Sequence, residues 1–87
     1  NSAAEGRKPV LEGSDRKRKL TFKEKQEYEA LGRDIEALEA EKAQLHEALA
    51  SGQLSVEEIT AHSKRLPLLD EELDEKSMRW LELSEWA

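Results

Sequence analysis

The sequence predicts an all-α chain, a two-helix antiparallel coiled-coil hairpin with a disordered basic N-terminal arm. Three observations predict it. Apolar residues recur at steps of three, four and seven along two stretches, the spacing of a helical seam. Each stretch opens on a Thr/Ser-x-x-Glu box, the signature of a helix N-terminus. Only a few residues, beginning Ser51-Gly52, separate the two, so the second helix must return beside the first.

The arm spans residues 1–19. It holds two of the chain's four Gly and one of its two Pro, and Val10-Leu11 is its only adjacent apolar pair. So little apolar surface does not offset the entropy of ordering. The helical domain spans residues 20–87. Helix one is expected over about 22–50, behind the box Thr21-Phe22-Lys23-Glu24. There the Thr hydroxyl accepts from the backbone N–H of Glu24 and the Glu carboxylate accepts from that of Thr21. Tyr28, Ile35, Lys42 and Leu49 form one line of its seam, and Leu31, Leu38 and Leu45 the other. At 1.5 Å per residue this helix is about 40 Å long.

The turn is expected at residues 51–54, with Gly52 free to take the left-handed conformation that ends many helices. Ser55-Val56-Glu57-Glu58 opens helix two, expected over about 56–86. Its seam is Ile59, Leu66, Leu69, Leu73, Trp80 and Leu83. Pro67 removes a helical hydrogen bond to Ser63 and disfavours helical geometry at Leu66. The seam stays in phase across it, which favours a kink or local irregularity near Ser63–Leu66 over a full break. Lys42, His62 and Lys76 also fall on the seam. Their stems can cover the core while their heads reach water, and they can help to set the register. Antiparallel pairing would bring Leu49 opposite Val56 and Ile59. It would also gather Phe22 and Tyr28 with Trp80, Leu83 and Trp86 at the open end. There the rings serve either as a packing clamp or, if exposed, as stacking platforms for bases.

Composition excludes several function classes. A chain of 87 residues has little room for an enclosed pocket. With no Cys there is no disulfide, zinc-thiolate site or thiol nucleophile. No apolar run is long enough to span a bilayer and no signal-peptide core is present, so a cytoplasmic location and no membrane contact are expected. The chain has no G-x-x-x-x-G-K-[ST] phosphate loop. His46 and His62 lack the three or four convergent ligands of a metal site. The acidic run Asp70, Glu71, Glu72, Asp74 and Glu75 reads as a solvated helix face. No Ser has a credible base and third partner. The segment is therefore not expected to be an enzyme, and neither a cofactor nor a metal is expected in it.

The net charge of −6 hides an asymmetry. Residues 1–25 carry eight bases and four acids, a balance of +4, and residues 26–87 carry six and sixteen, −10. Arg16, Lys17, Arg18 and Lys19 run into Lys23 and Lys25, with Arg33 further along helix one. Such a cluster attracts nucleic-acid phosphates through counterion release without reading bases. A solubilising linker explains it equally well. If phosphates are the target, contact is confined to this end of the molecule.

The stretch Arg18-Lys19-Leu20-Thr21-Phe22-Lys23-Glu24-Lys25-Gln26-Glu27-Tyr28-Glu29 resembles the K-L-[ST]-[YF]-K-E-x-x-E-[LY]-E opening of the C-terminal domain of ABC-F ATPases of the Uup type. The resemblance continues through Ile35-Glu36-Ala37-Leu38-Glu39. It ends on Arg79-Trp80-Leu81-Glu82-Leu83, which is similar to the family's R-W-x-x-L. It covers about residues 18–86. It implies a coiled-coil hairpin behind a basic linker, in a soluble cytoplasmic parent whose two ATP-binding cassettes, with their ATP and Mg, lie outside this chain. It also implies DNA as a partner, with structured RNA (rRNA or tRNA) equally suited. The residues matching the family's basic opening are Arg18, Lys19, Lys23 and Lys25. The alternative is a spacer or protein-interaction coiled coil that docks on the parent cassettes, the ribosome or a second copy. A monomer is favoured over a dimer, although thin two-helix rods often lack burial. Pro67 departs from the Ala/Glu-rich middle of the family.

Overall fold

Thr21 starts the first helix by the expected reciprocal bonds. Its hydroxyl accepts from the Glu24 backbone N–H at 3.1 Å, and its own N–H donates to Glu24 Oε1 at 3.0 Å. Two N–H groups that the helix leaves without partners are thereby satisfied. The computed structural model describes residues 19–87. In it α1 runs Phe22–Ser51 and α2 runs Val56–Ser84. The arm expected over residues 1–19 lies outside the described residues except for Lys19. Ser55 repeats the capping box for α2, accepting from Glu58 at 3.1 Å and donating to its carboxylate at 2.9 Å.

Gly52 ends α1 at φ 72, a left-handed conformation that a side chain would strain. Ser51 tightens the same corner. Its hydroxyl donates to the Ala48 carbonyl at 2.6 Å and accepts from the Gln53 N–H at 3.2 Å. The turn reverses the chain and the helices lie antiparallel in a rod of 65 × 19 × 15 Å. The fold is the all-α hairpin that the heptad spacing predicts.

The core is one seam thick. Leu31, Leu69 and Leu83 are buried, Leu69 completely. Tyr28, Ile35, Leu38, Leu45, Leu49, Leu66, Leu73 and Trp80 are half-buried along the same line. Two helices alone cover only one side of each seam residue, so partial burial is the geometric limit of this fold.

α2 continues as one helix through Pro67, without the full break that the in-phase seam argues against. Pro67 and Ser63 both face solvent, so water can satisfy the carbonyl that the proline leaves without a donor. The helix ends at Ser84 rather than near 86, and Trp86 closes the end by donating its N–H to the Leu83 carbonyl at 3.0 Å. Val56 does not pack against Leu49; it is 76% exposed, because the first residue of α2 points away from the seam. Phe22 is 77% exposed and stays outside the aromatic group. It lies six residues before Tyr28, a rotation of about 240° at 3.6 residues per turn, which turns it off the seam.

Candidate nucleic-acid interface

Antiparallel packing places the start of α1 beside the end of α2. Tyr28 and Trp80 stack across this open end with ring centroids 5.2 Å apart and planes 16° apart. Of the four aromatic residues expected there, these two form the clamp. Trp86 is half-buried nearby in sequence, at the chain end. With the Tyr28 and Trp80 faces turned on each other, the packing role of these rings is the one the geometry supports.

Apart from the exposed Lys64 of α2, the described basic side chains fall into two groups. The first is tied into cross-helix ion pairs. Arg79 grips Glu27 through two bonds, Nε to Oε2 at 2.8 Å and Nη2 to Oε1 at 3.0 Å, and also reaches Glu82 at 3.0 Å. Arg65 grips Glu41 the same way, at 2.8 and 3.1 Å. Lys76 Nζ meets Asp34 at 3.0 Å and Lys42 Nζ meets Asp70 at 2.6 Å. Glu27, Asp34 and Glu41 are seven residues apart and so share one flank of α1. The fork of each Arg holds its carboxylate in two parallel bonds. The hydrogen bond from Arg79 holds the Glu27 carboxyl below the usual carboxylate range, and that from Arg65 does the same for Glu41. Hydrogen bonding to Asp70 raises the Lys42 ammonium above its ordinary value.

The seam pattern alone sends the heads of Lys42 and Lys76 into water. Each instead finds a carboxylate on the facing helix. Asp70 and Glu72 of the acidic run are likewise engaged, Asp70 with Lys42 and Glu72 near Arg65 at 3.9 Å. Sequence reasoning does not find this ladder. Its signal lies in the seven-residue spacing of Glu27, Asp34 and Glu41, and in that of Arg65 and Arg79, fourteen apart.

The second group is the candidate interface. Of the seven bases singled out from the sequence, Arg16, Lys17 and Arg18 lie outside the described residues. Lys19, Lys23, Lys25 and Arg33 are exposed, and none of them takes part in an ion pair among the described residues. Lys19 precedes the cap. Lys23 and Lys25 sit in the first turn of α1, where the positive end of the helix dipole also lies. They do not face one direction. Two residues apart, they are rotated by about 200°. Arg33 falls between them on the outward side, about two turns up. The three therefore form a loose collar on the half of α1 turned away from α2. Glu29 interrupts the collar, since it stands four residues from both Lys25 and Arg33. The collar can attract phosphate but offers no tight pocket for one.

Among the described residues no group of three or more His, Asp or Glu could hold a metal ion, and no helix is long and apolar enough to cross a membrane. No curated protein and no solved structure matches the chain. The family described as the ABC transporter C-terminal domain matches residues 19–85, which takes in both capping boxes, the seam and the whole ion-pair ladder. The chain belongs to the ABC transporter C-terminal domain family.

Proposed function

We propose that this domain is a nucleic-acid-binding auxiliary segment of a cytoplasmic ABC-F ATPase of the Uup type. It would hold DNA or structured RNA by its phosphates, without sequence specificity, at the open end of the hairpin. One observation carries the reading. The bases of the interior ladder are consumed by carboxylates, whereas Lys19, Lys23, Lys25 and Arg33 have no ion pair among the described residues. Arg16, Lys17 and Arg18 add their charge to the same end in the sequence. An acidic body repels phosphate elsewhere and restricts contact to this end.

The test is titration of the chain with a duplex DNA and a structured RNA across a range of salt. Binding should weaken linearly on logarithmic axes. Replacing Lys23 or Lys25 by Gln should reduce the slope by about one unit for each phosphate that is no longer neutralised. Absence of binding at low salt sinks the proposal. ATP and Mg belong to the cassettes of the parent on this reading, and the hairpin carries no chemistry of its own.

A second reading is supported by a different feature. An open apolar groove at Gly32 and Trp80 suits a protein-docking or spacer role, on the parent cassettes, the ribosome or a second copy. NMR shifts on adding a short duplex separate the two. Perturbation confined to Arg16–Lys25 favours nucleic acid, and none at all favours docking.

A further inference from the structure

The ion-pair ladder occupies one flank of the rod, and the opposite flank is open near the open end. Two small residues, Gly32 on α1 and Ser77 on α2, leave room there, and Ile35, Trp80 and Leu81 supply an apolar floor. Leu81 is 59% exposed. The indole Nε1 of Trp80 points toward Gly32, 3.8 Å from where a Cβ would stand. Its N–H donates to no group among the described residues, so the groove offers one free donor above an apolar surface. The rim is acidic. Glu29, Glu36 and Glu39 line it against Arg33 alone, and none of the three glutamates has a hydrogen bond or ion pair among the described residues.

We propose that this groove is the docking site of the chain's own residues 7–18, with Val10-Leu11 on the apolar floor and the surrounding bases against the glutamates. Composition argues for that occupant. Val10-Leu11 is flanked by Arg7-Lys8 on one side and Arg16-Lys17-Arg18 on the other, five bases against Glu12 and Asp15. This basic, apolar-centred pattern complements a groove that is apolar in the middle and acidic at its edge. Length permits it. The eight residues from Leu11 to Lys19 reach at most about 28 Å, and Gly32 lies about 16 Å along α1 from Thr21. A tether this short holds its end at roughly millimolar effective concentration, so an intrinsic affinity in the millimolar range gives about half occupancy. The proposal does not rest on the nucleic-acid reading. It would place part of the basic arm along the rod rather than beyond its end.

The absence of cysteine makes the test clean. Ser14→Cys in the full chain accepts a single nitroxide label. With docking, the amides of Gly32 and Glu36 and the Trp80 indole should lose most of their NMR intensity, because a weakly docked end exchanges fast and even partial occupancy brings the label close enough to broaden them strongly. Those of Asp34 and Lys76, on the ladder flank, should lose much less. Val10→Asp with Leu11→Asp should abolish the difference between flanks, and Glu36→Lys should weaken it. Equal broadening on both flanks overturns the proposal, since a tethered end that does not dock favours neither. Broadening that requires mixing labelled with unlabelled chains also overturns it, because the occupant is then a second copy. Nucleic-acid titration of the same chain is scored separately, so either idea can fail alone.

Discussion

Gly32 is a clear case of a residue whose meaning changes with tertiary context. In the sequence it is a helix-weakening residue inside a heptad pattern. In the hairpin it faces the Trp80 indole at a distance that a methyl group would meet as an ordinary contact, 3.8 Å. Gly32→Ala therefore removes backbone entropy without a clash and should stabilise the domain by about 0.5–1 kcal/mol, read as a higher urea midpoint with unchanged slope. Leu69 is the opposite case. It is 0% exposed in a seam with almost no other fully enclosed side chain, so Leu69→Ala should cost about 2–5 kcal/mol in the same measurement. Lys42 and Lys76 were legible as seam residues, but their partners were not. A lysine stem long enough to snorkel is also long enough to cross to the facing helix, and only the register selects between water and Asp70 or Asp34.

At the scale of the helix, both starts and the end of α1 were legible because they are set locally. The two capping boxes and Gly52 need no distant contact to act, and the helix starts at Phe22 and Val56 follow from them. Pro67 shows where local reasoning stops. Its ring disturbs one turn, yet the leucines on either side hold α2 in phase against α1, and Ser63 faces water. The proline still lacks a donor, so Pro67→Ala should raise stability by about 1–3 kcal/mol. The helical signal in circular dichroism should barely change, because the helix is already continuous. Val56 and Phe22 were misplaced for a related reason. Each is the first residue of its helix, where one step of 100° decides between seam and solvent.

For the whole molecule, charge dominates. Hydrogen bonding from Arg79 and Arg65 lowers the carboxyls of Glu27 and Glu41, and the Ser55 backbone N–H lowers that of Glu58, all from an ordinary value of 4.5. A carboxylate depressed in the folded state contributes stability that is present above its unfolded value and lost as pH falls through the folded one. The melting temperature should accordingly be flat from neutral pH down to about 5 and decline below about 4.5. Glu27→Gln with Glu41→Gln should flatten that decline in a melting series from pH 7 to pH 3. An unchanged decline would mean that the ladder is not its source. High salt should have a smaller effect on these close forks than on the long-range attraction of the open end for phosphate.

The sequence by itself determined the helices, their caps, the turn between them and the seam line, because periodicity and capping act within a few residues. It also located an excess of basic charge at one end, since charge counts need no coordinates. Only the tertiary structure decided which bases are consumed. Arg65, Arg79, Lys42 and Lys76 meet their carboxylates across a gap that exists only once the helices are in register. Lys23, Lys25 and Arg33 turn outward because their angular positions on α1 lie away from α2. The groove at Gly32 and Trp80 was illegible for the same reason. Neither residue makes a cavity alone, and it takes antiparallel packing to set a missing side chain on one helix opposite a large one on the other.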